Sequence, residues 1–124
     1  MAKILVTDDS KFQRNTIGKH LIALGHSVTY AGDGLECLKC LETERPDCII
    51  TDLLMPNMTG DELLKNLLDA GNTIPIIVIS ANIQAPMRSL CLELGAKAFL
   101  SKPFNTDELS AALGRLIVAQ RSAS

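Results

Sequence analysis

The chain has 124 residues, 47% of them hydrophobic, with 12 basic against 14 acidic side chains and a net charge of -2. That is enough apolar chain for one domain with a buried core, and it argues against both disorder and an extended nucleic-acid surface. The longest strongly apolar run, Ile74 to Ile79, contains Pro75 and is far too short to cross a bilayer. The apolar N-terminus reaches Asp8 at once, so no signal peptide, no membrane contact and a cytoplasmic location are expected.

In chain order the sequence reads as five repeats of short strand and amphipathic helix. The first strand is expected over Lys3–Thr7. Asp8 and Asp9 follow it, and then a capping box of Ser10 with Gln13 opens a helix that stops at Gly25. The second strand, Ser27–Ala31, leads to a helix carrying Cys37 and Cys40. With Cys48 and Cys91 these lack a second pair at metal spacing, so reduced, packed thiols are expected. The third strand, Cys48–Asp52, ends on a third carboxylate. A helix then runs from the box Thr59/Glu62 to Gly71. The fourth strand, Ile76–Ser80, is followed by Pro86, which suits the first turn of a helix and not its middle. The fourth helix is therefore expected to begin near Ala85–Pro86, after an extended loop over residues 81–84, and to stop at Gly95. The fifth strand, Ala98–Ser101, precedes Lys102-Pro103. Asn105 with Glu108 opens the last helix, whose stripe of Leu109, Ala112, Leu113, Leu116 and Ile117 repeats at i, i+3, i+4, i+7 and i+8. That helix is expected to reach about Gln120 and leave a tail from residue 121, within a single domain spanning 1–124.

The first and fourth strands are continuously apolar, as in a parallel sheet covered by helices on both faces. Alternating βα units with right-handed crossovers give an open doubly wound sheet, which binds ligands at the carboxyl ends of its strands. Asp8, Asp9, Asp52, Ser80 and Lys102 all fall at or just after those ends and are expected to meet. Three carboxylates within about 5 Å repel by roughly 3 kcal/mol per pair at an effective dielectric near 20. A core ion pair with Lys102 explains one acid and leaves two in surplus. All-oxygen donors favour Mg²⁺. With a cation present, one carboxylate can attack phosphorus, while Lys102 and Ser80 address the phosphoryl oxygens. His20 falls mid-helix and His26 just before the second strand, at the wrong end of the sheet for the site, and neither is expected to be functional; Met55 and Met58 in the loop after Asp52 are as apt to pack under it as to touch a partner.

Asp8-Asp9-Ser10, Asp52-Leu53-Leu54-Met55-Pro56-Asn57-Met58-Thr59-Gly60, Ser80-Ala81 and Phe99-Leu100-Ser101-Lys102-Pro103-Phe104 together resemble the receiver domains of response regulators, in the single-domain, chemotaxis-type (CheY-like) form. The likeness spans nearly the whole chain. It implies an α/β fold, a doubly wound five-stranded parallel sheet in flavodoxin-like order 2-1-3-4-5 with five helices on both faces. It implies that Asp52 is the phosphoacceptor and that Asp9, Asp52 and the Leu54 carbonyl ligate Mg²⁺ (or Mn²⁺), with Asp8 acting through a metal-bound water. Ser80 and Lys102 would contact the phosphoryl group, and Ser80 and Phe99 would form the switch. Leu54 and Asn82 would tune the phosphoryl lifetime, and the bond before Pro103 would be cis. The implied partners are a CheA-like histidine kinase, a flagellar motor switch protein or a phosphotransferase, and a dedicated phosphatase, for a chain expected to be monomeric.

Two other classes fit less well. Aspartate-nucleophile phosphatases place D-x-D after the first strand, where this chain has Asp8-Asp9-Ser10. A nucleotide- or flavin-binding module would need a glycine-rich first turn; here Thr7-Asp8-Asp9-Ser10-Lys11 has no glycine and sets two negative charges where a phosphate would sit. A phosphorelay intermediate, passing its phosphoryl group to a histidine phosphotransferase, is the alternative within the receiver reading.

Overall fold

The computed structural model describes residues 2–81 and 84–123, the last five by backbone alone. Five strands alternate with five helices: β1 (Lys3–Thr7), α1 (Lys11–Ala23), β2 (Ser27–Ala31), α2 (Gly34–Leu41), β3 (Cys48–Thr51), α3 (Gly60–Asp69), β4 (Ile76–Ser80), α4 (Ala85–Glu93), β5 (Ala98–Ser101) and α5 (Thr106–Ala123). All strand pairs are parallel, in the order β2-β1-β3-β4-β5.

The continuous apolar strands are explained by two cores, one on each face, which take alternate residues. Leu5, Ile49, Ile76 and Val78 point to the layer of α2, α3 and α4, where they meet Cys37, Leu63, Leu64, Leu67 and Cys91. Ile4, Val6, Ile50, Ile77 and Ile79 point to α1 and α5, against Ile17, Leu21, Leu109, Leu113 and Ile117. Because β1 and β4 are apolar on both faces, polarity alone does not set their register.

The helix boundaries follow local chemistry. Ser10 Oγ accepts the Gln13 N–H at 3.3 Å to start α1. The Glu62 carboxylate accepts both the Thr59 N–H and the Thr59 hydroxyl at the start of α3. Asn105 Oδ1 accepts the N–H groups of Asp107 and Glu108 ahead of α5. Pro86 occupies the first turn of α4. Gly25, Gly71 and Gly95, each at positive φ, end α1, α3 and α4.

Two boundaries differ from the sequence expectation. β3 ends at Thr51, one residue before Asp52, because Asp52 Oδ1 turns back to accept the Leu53 N–H at 2.7 Å. α5 continues to Ala123, past the expected end near Gln120, since no glycine or proline follows Gly114 to stop it. Among the described residues no helix is long and apolar enough to cross a membrane.

Candidate functional site

The sheet delivers the charged residues to one place by its hydrogen-bond ladder. Each charge-bearing residue lies just past its strand, yet its N–H still reaches the last carbonyl of a neighbouring strand. Asp8 donates to Ala31 at 3.1 Å, Asp52 to Thr7 at 3.1 Å, and Lys102 to Ser80 at 2.9 Å. The sheet's ladder therefore ties down the backbone at these three residues, which lie at its carboxyl edge.

The Lys102 ammonium lies between two carboxylates, 2.8 Å from Asp8 Oδ2 and 2.8 Å from Asp52 Oδ2. Asp8 is buried at 2% exposure, its Oδ1 accepts the Ser10 N–H at 3.0 Å, and the Arg14 guanidinium donates to its carbonyl at 2.7 Å. Asp52 stands nearer solvent, with Leu53 N–H on one oxygen and Lys102 on the other. Asp9 is exposed, and one oxygen from each of Asp8, Asp9 and Asp52 lies within 4.8 Å of the others. Burial pulls the Lys102 ammonium downward, but hydrogen bonds and charge from Asp52 and Asp8 outweigh it and hold the group above its ordinary value. Three acids against one ammonium leave excess negative charge on oxygen donors alone. That donor set suits a hard divalent cation.

Ser80 is buried at the end of β4. Phe99, in register with Val78, lies in the α2–α4 core at 7% exposure, with the Arg88 guanidinium 5.9 Å from its ring centroid. A cleft of about 450 Å³ opens beside it, lined by Arg88, Phe99, Leu100, Ser101 and Glu108. The Lys102–Pro103 peptide is cis. The Leu54 side chain is 70% exposed at the mouth of the loop after Asp52. Asn82 lies outside the described residues.

The response regulator receiver domain model matches residues 4–114. The chain belongs to that family. As a receiver it shares 36% identity over 115 residues with response regulator MprA of Mycobacterium avium, 93% of this chain and 50% of that protein. The chain thus spans about half the length of the curated relatives it matches. Among solved structures, the receiver domain of Francisella response regulator 1452 superposes with TM-score 0.92 at 32% identity, covering 97% of this chain and 99% of that one. The chemotaxis response regulator CheY4 of Vibrio cholerae superposes with TM-score 0.85 at 34% identity, covering 94% and 98%. Receiver domains are signalling modules that work with a histidine kinase and generally bind Mg²⁺ at an acidic pocket. The Asp8, Asp9 and Asp52 cluster of this receiver has the donors for that ion.

The remaining polar residues sort by their surroundings. Cys37, Cys40, Cys48 and Cys91 are unpaired; burial pushes Cys37 and Cys91 up to about 11 and Cys48 up to about 12, so these three stay as thiols. His20 shares a hydrogen bond with Ser110 and lies with its ring 5.8 Å from that of Phe104, and His26 Nδ1 accepts the Ala2 N–H. Met55, in the loop after Asp52, is buried, and Met58 packs against Gly34 at the start of α2.

Three features went unread in the sequence. Arg14 lies one helical turn beyond Ser10, a spacing that could have flagged it as facing Asp8. Asp33, just before α2, was readable as a helix cap, but its second partner, Asn57, is 24 residues away. Gly60 packs so tightly under the Asp52 carbonyl that a Cβ there would collide with it.

Proposed function

We propose that the receiver accepts a phosphoryl group on Asp52 from a phosphohistidine of its kinase. An Asp52 carboxylate oxygen forms the new P–O bond as the P–N bond breaks, and the leaving imidazole takes a proton. The observation that carries this reading is the position of Lys102. Of the two carboxylates it binds, Asp8 is 2% exposed while the Asp52 side chain is 11% exposed, so Asp52 is the one an incoming phosphorus atom can reach. Asp9, Asp52 and the Leu54 carbonyl would hold Mg²⁺, with Asp8 acting through a water, and the ion when bound supplies positive charge for the phosphoryl oxygens. Lys102 exchanges a carboxylate oxygen for a phosphoryl oxygen without leaving the site. Ser80 donates its hydroxyl to another, and Leu54 with Asn82 governs the access of hydrolytic water.

Drawing Ser80 toward the phosphoryl group shifts the loop that follows it and lets Phe99 repack against α4. The face made by α4, β5 and α5 then changes its affinity for a target. Such a change needs an element with two packings that phosphorylation biases, and Phe99 with Arg88 over its ring and a cleft at its side suits that role. We assign the output to chemotaxis, with a flagellar motor switch component as target and the cytoplasm as location. The likeness to a chemotaxis regulator supports this assignment. A second reading, the receiver portion of a longer regulator, is favoured by the half-length match to MprA.

The test is partner capture in Mg²⁺ with and without beryllofluoride, a mimic of the bound phosphoryl group. A motor switch protein retained only with beryllofluoride is expected. Identical partner sets in both states would sink the switch, and a state-dependent partner of another kind would remove the chemotaxis assignment.

A further inference from the structure

The loop from Asp52 to α3 is held in an unusual shape. Its base is closed by the Gly60 N–H donating to the Leu53 carbonyl at 2.8 Å. Near its tip the Met58 N–H donates to the Pro56 carbonyl at 2.7 Å, across Asn57 at φ 69. A bond from i to i+2 around a positive φ is the rarer and strained form of γ-turn. Among the described residues Asn57 is the one non-glycine residue with positive φ. Strain of this kind persists only where the surroundings impose it.

What imposes it is the start of α2. Asn57 Nδ2 donates to Asp33 Oδ2 at 2.8 Å, while Asp33 Oδ1 accepts the Glu36 N–H at 2.9 Å as the helix cap. Beside it Met58 covers Gly34 so closely that a Cβ there would lie 2.9 Å from the Met58 side chain. Two adjacent residues of the loop thus seat on two adjacent residues of the helix start. The two oxygens of Asp33 carry separate duties, one for the cap and one for the turn. Asp33 as a residue is 9% exposed.

We infer that Asp33 is a positioning residue for the phosphoacceptor site: through Asn57 it holds the strained turn and so fixes the Leu54 carbonyl where the cation binds. This rests on the site reading given under Proposed function. Asp33 touches no reacting atom. A serine at 33 would cap α2 about as well as aspartate but has no second oxygen for Asn57. An asparagine could keep both duties, capping with its oxygen and donating its amide to a flipped Asn57 side chain.

The experiment uses the full chain and three readouts: Mg²⁺ affinity by calorimetry, exchange of the Met58 amide without metal, and the thermal midpoint. Asp33→Ser is expected to melt close to the parent, to bind Mg²⁺ about ten-fold more weakly and to exchange the Met58 amide faster. Asp33→Asn is expected to restore both values toward the parent. Parental Mg²⁺ affinity in Asp33→Ser would overturn the assignment, as would unchanged Met58 exchange. Weakened binding that Asp33→Asn fails to restore would trace the effect to lost charge and also overturn it. A parent chain that binds no Mg²⁺ would instead overturn the reading of the site itself.

Discussion

Replacing Asp9 by asparagine should stabilise the metal-free protein and yet abolish most of its stabilisation by Mg²⁺. Asp9 is exposed and forms no ion pair among the described residues, so neutralising it removes repulsion without stranding a partner. Its carboxylate lies within 4.8 Å of those of Asp8 and Asp52. Each such pair repels by roughly 0.9 kcal/mol in the dielectric of water and about 3.5 kcal/mol at an effective value of 20. Exposure places Asp9 near the lower figure, and the Lys102 ammonium offsets part of the sum. A net gain of about 1 kcal/mol remains, or roughly 4 °C in thermal midpoint for a domain of this size. In Mg²⁺ at a hundred times its dissociation constant the parent gains about 2.7 kcal/mol, while the variant, with a ligand lost, gains far less. Calorimetric melts should therefore cross: Asp9→Asn melts above the parent in chelator and below it in Mg²⁺. A variant that melts below the parent in both buffers, or keeps the full Mg²⁺ shift, would refute the electrostatic account of the cluster.

Gly60→Ala should destabilise by about 3 kcal/mol, because its Cβ must displace backbone at Asp52 and Leu53 rather than a flexible side chain; urea unfolding reads this directly. The stabilisation that Lys102 supplies should be constant below its ordinary value of 10.5 and should fade as pH rises through its higher folded value, since the folded state holds that proton more tightly than the unfolded one. Comparing the unfolding of parent and Lys102→Met across alkaline pH would expose a constant difference as contrary. Leu54→Ala should leave stability within about 0.5 kcal/mol, as the side chain is 70% exposed, while changing the rate of phosphoryl loss. An unchanged rate would remove Leu54 from the lifetime-setting group.

Most of the fold was legible because each strand had to satisfy two cores. Ile76-Ile77-Val78-Ile79 has no polar face to spare, and that demands helices on both sides. The glycines at 25, 71 and 95 and Pro86 marked helix ends by backbone chemistry that needs no tertiary context. The meeting of Asp8, Asp9, Asp52 and Lys102 was legible too, since strand ends in a parallel sheet share one edge. Their individual roles came from the family likeness, because charge alone does not distinguish one carboxylate from another. Burial adds a difference that the sequence does not carry: the Asp8 side chain is 2% exposed and that of Asp52 11%. The Asp33–Asn57 contact was illegible for a different reason. It joins two loops through a turn whose positive φ the local sequence permits but does not require.

Site-specific phosphorylation tests the central claim most directly. The chain, incubated with phosphoramidate and Mg²⁺ and then trapped by borohydride reduction of the acyl phosphate, should carry one modification per molecule at Asp52, and none when Mg²⁺ is chelated. A label that maps to Asp8 or Asp9, or that persists undiminished in Asp52→Asn, would contradict the account.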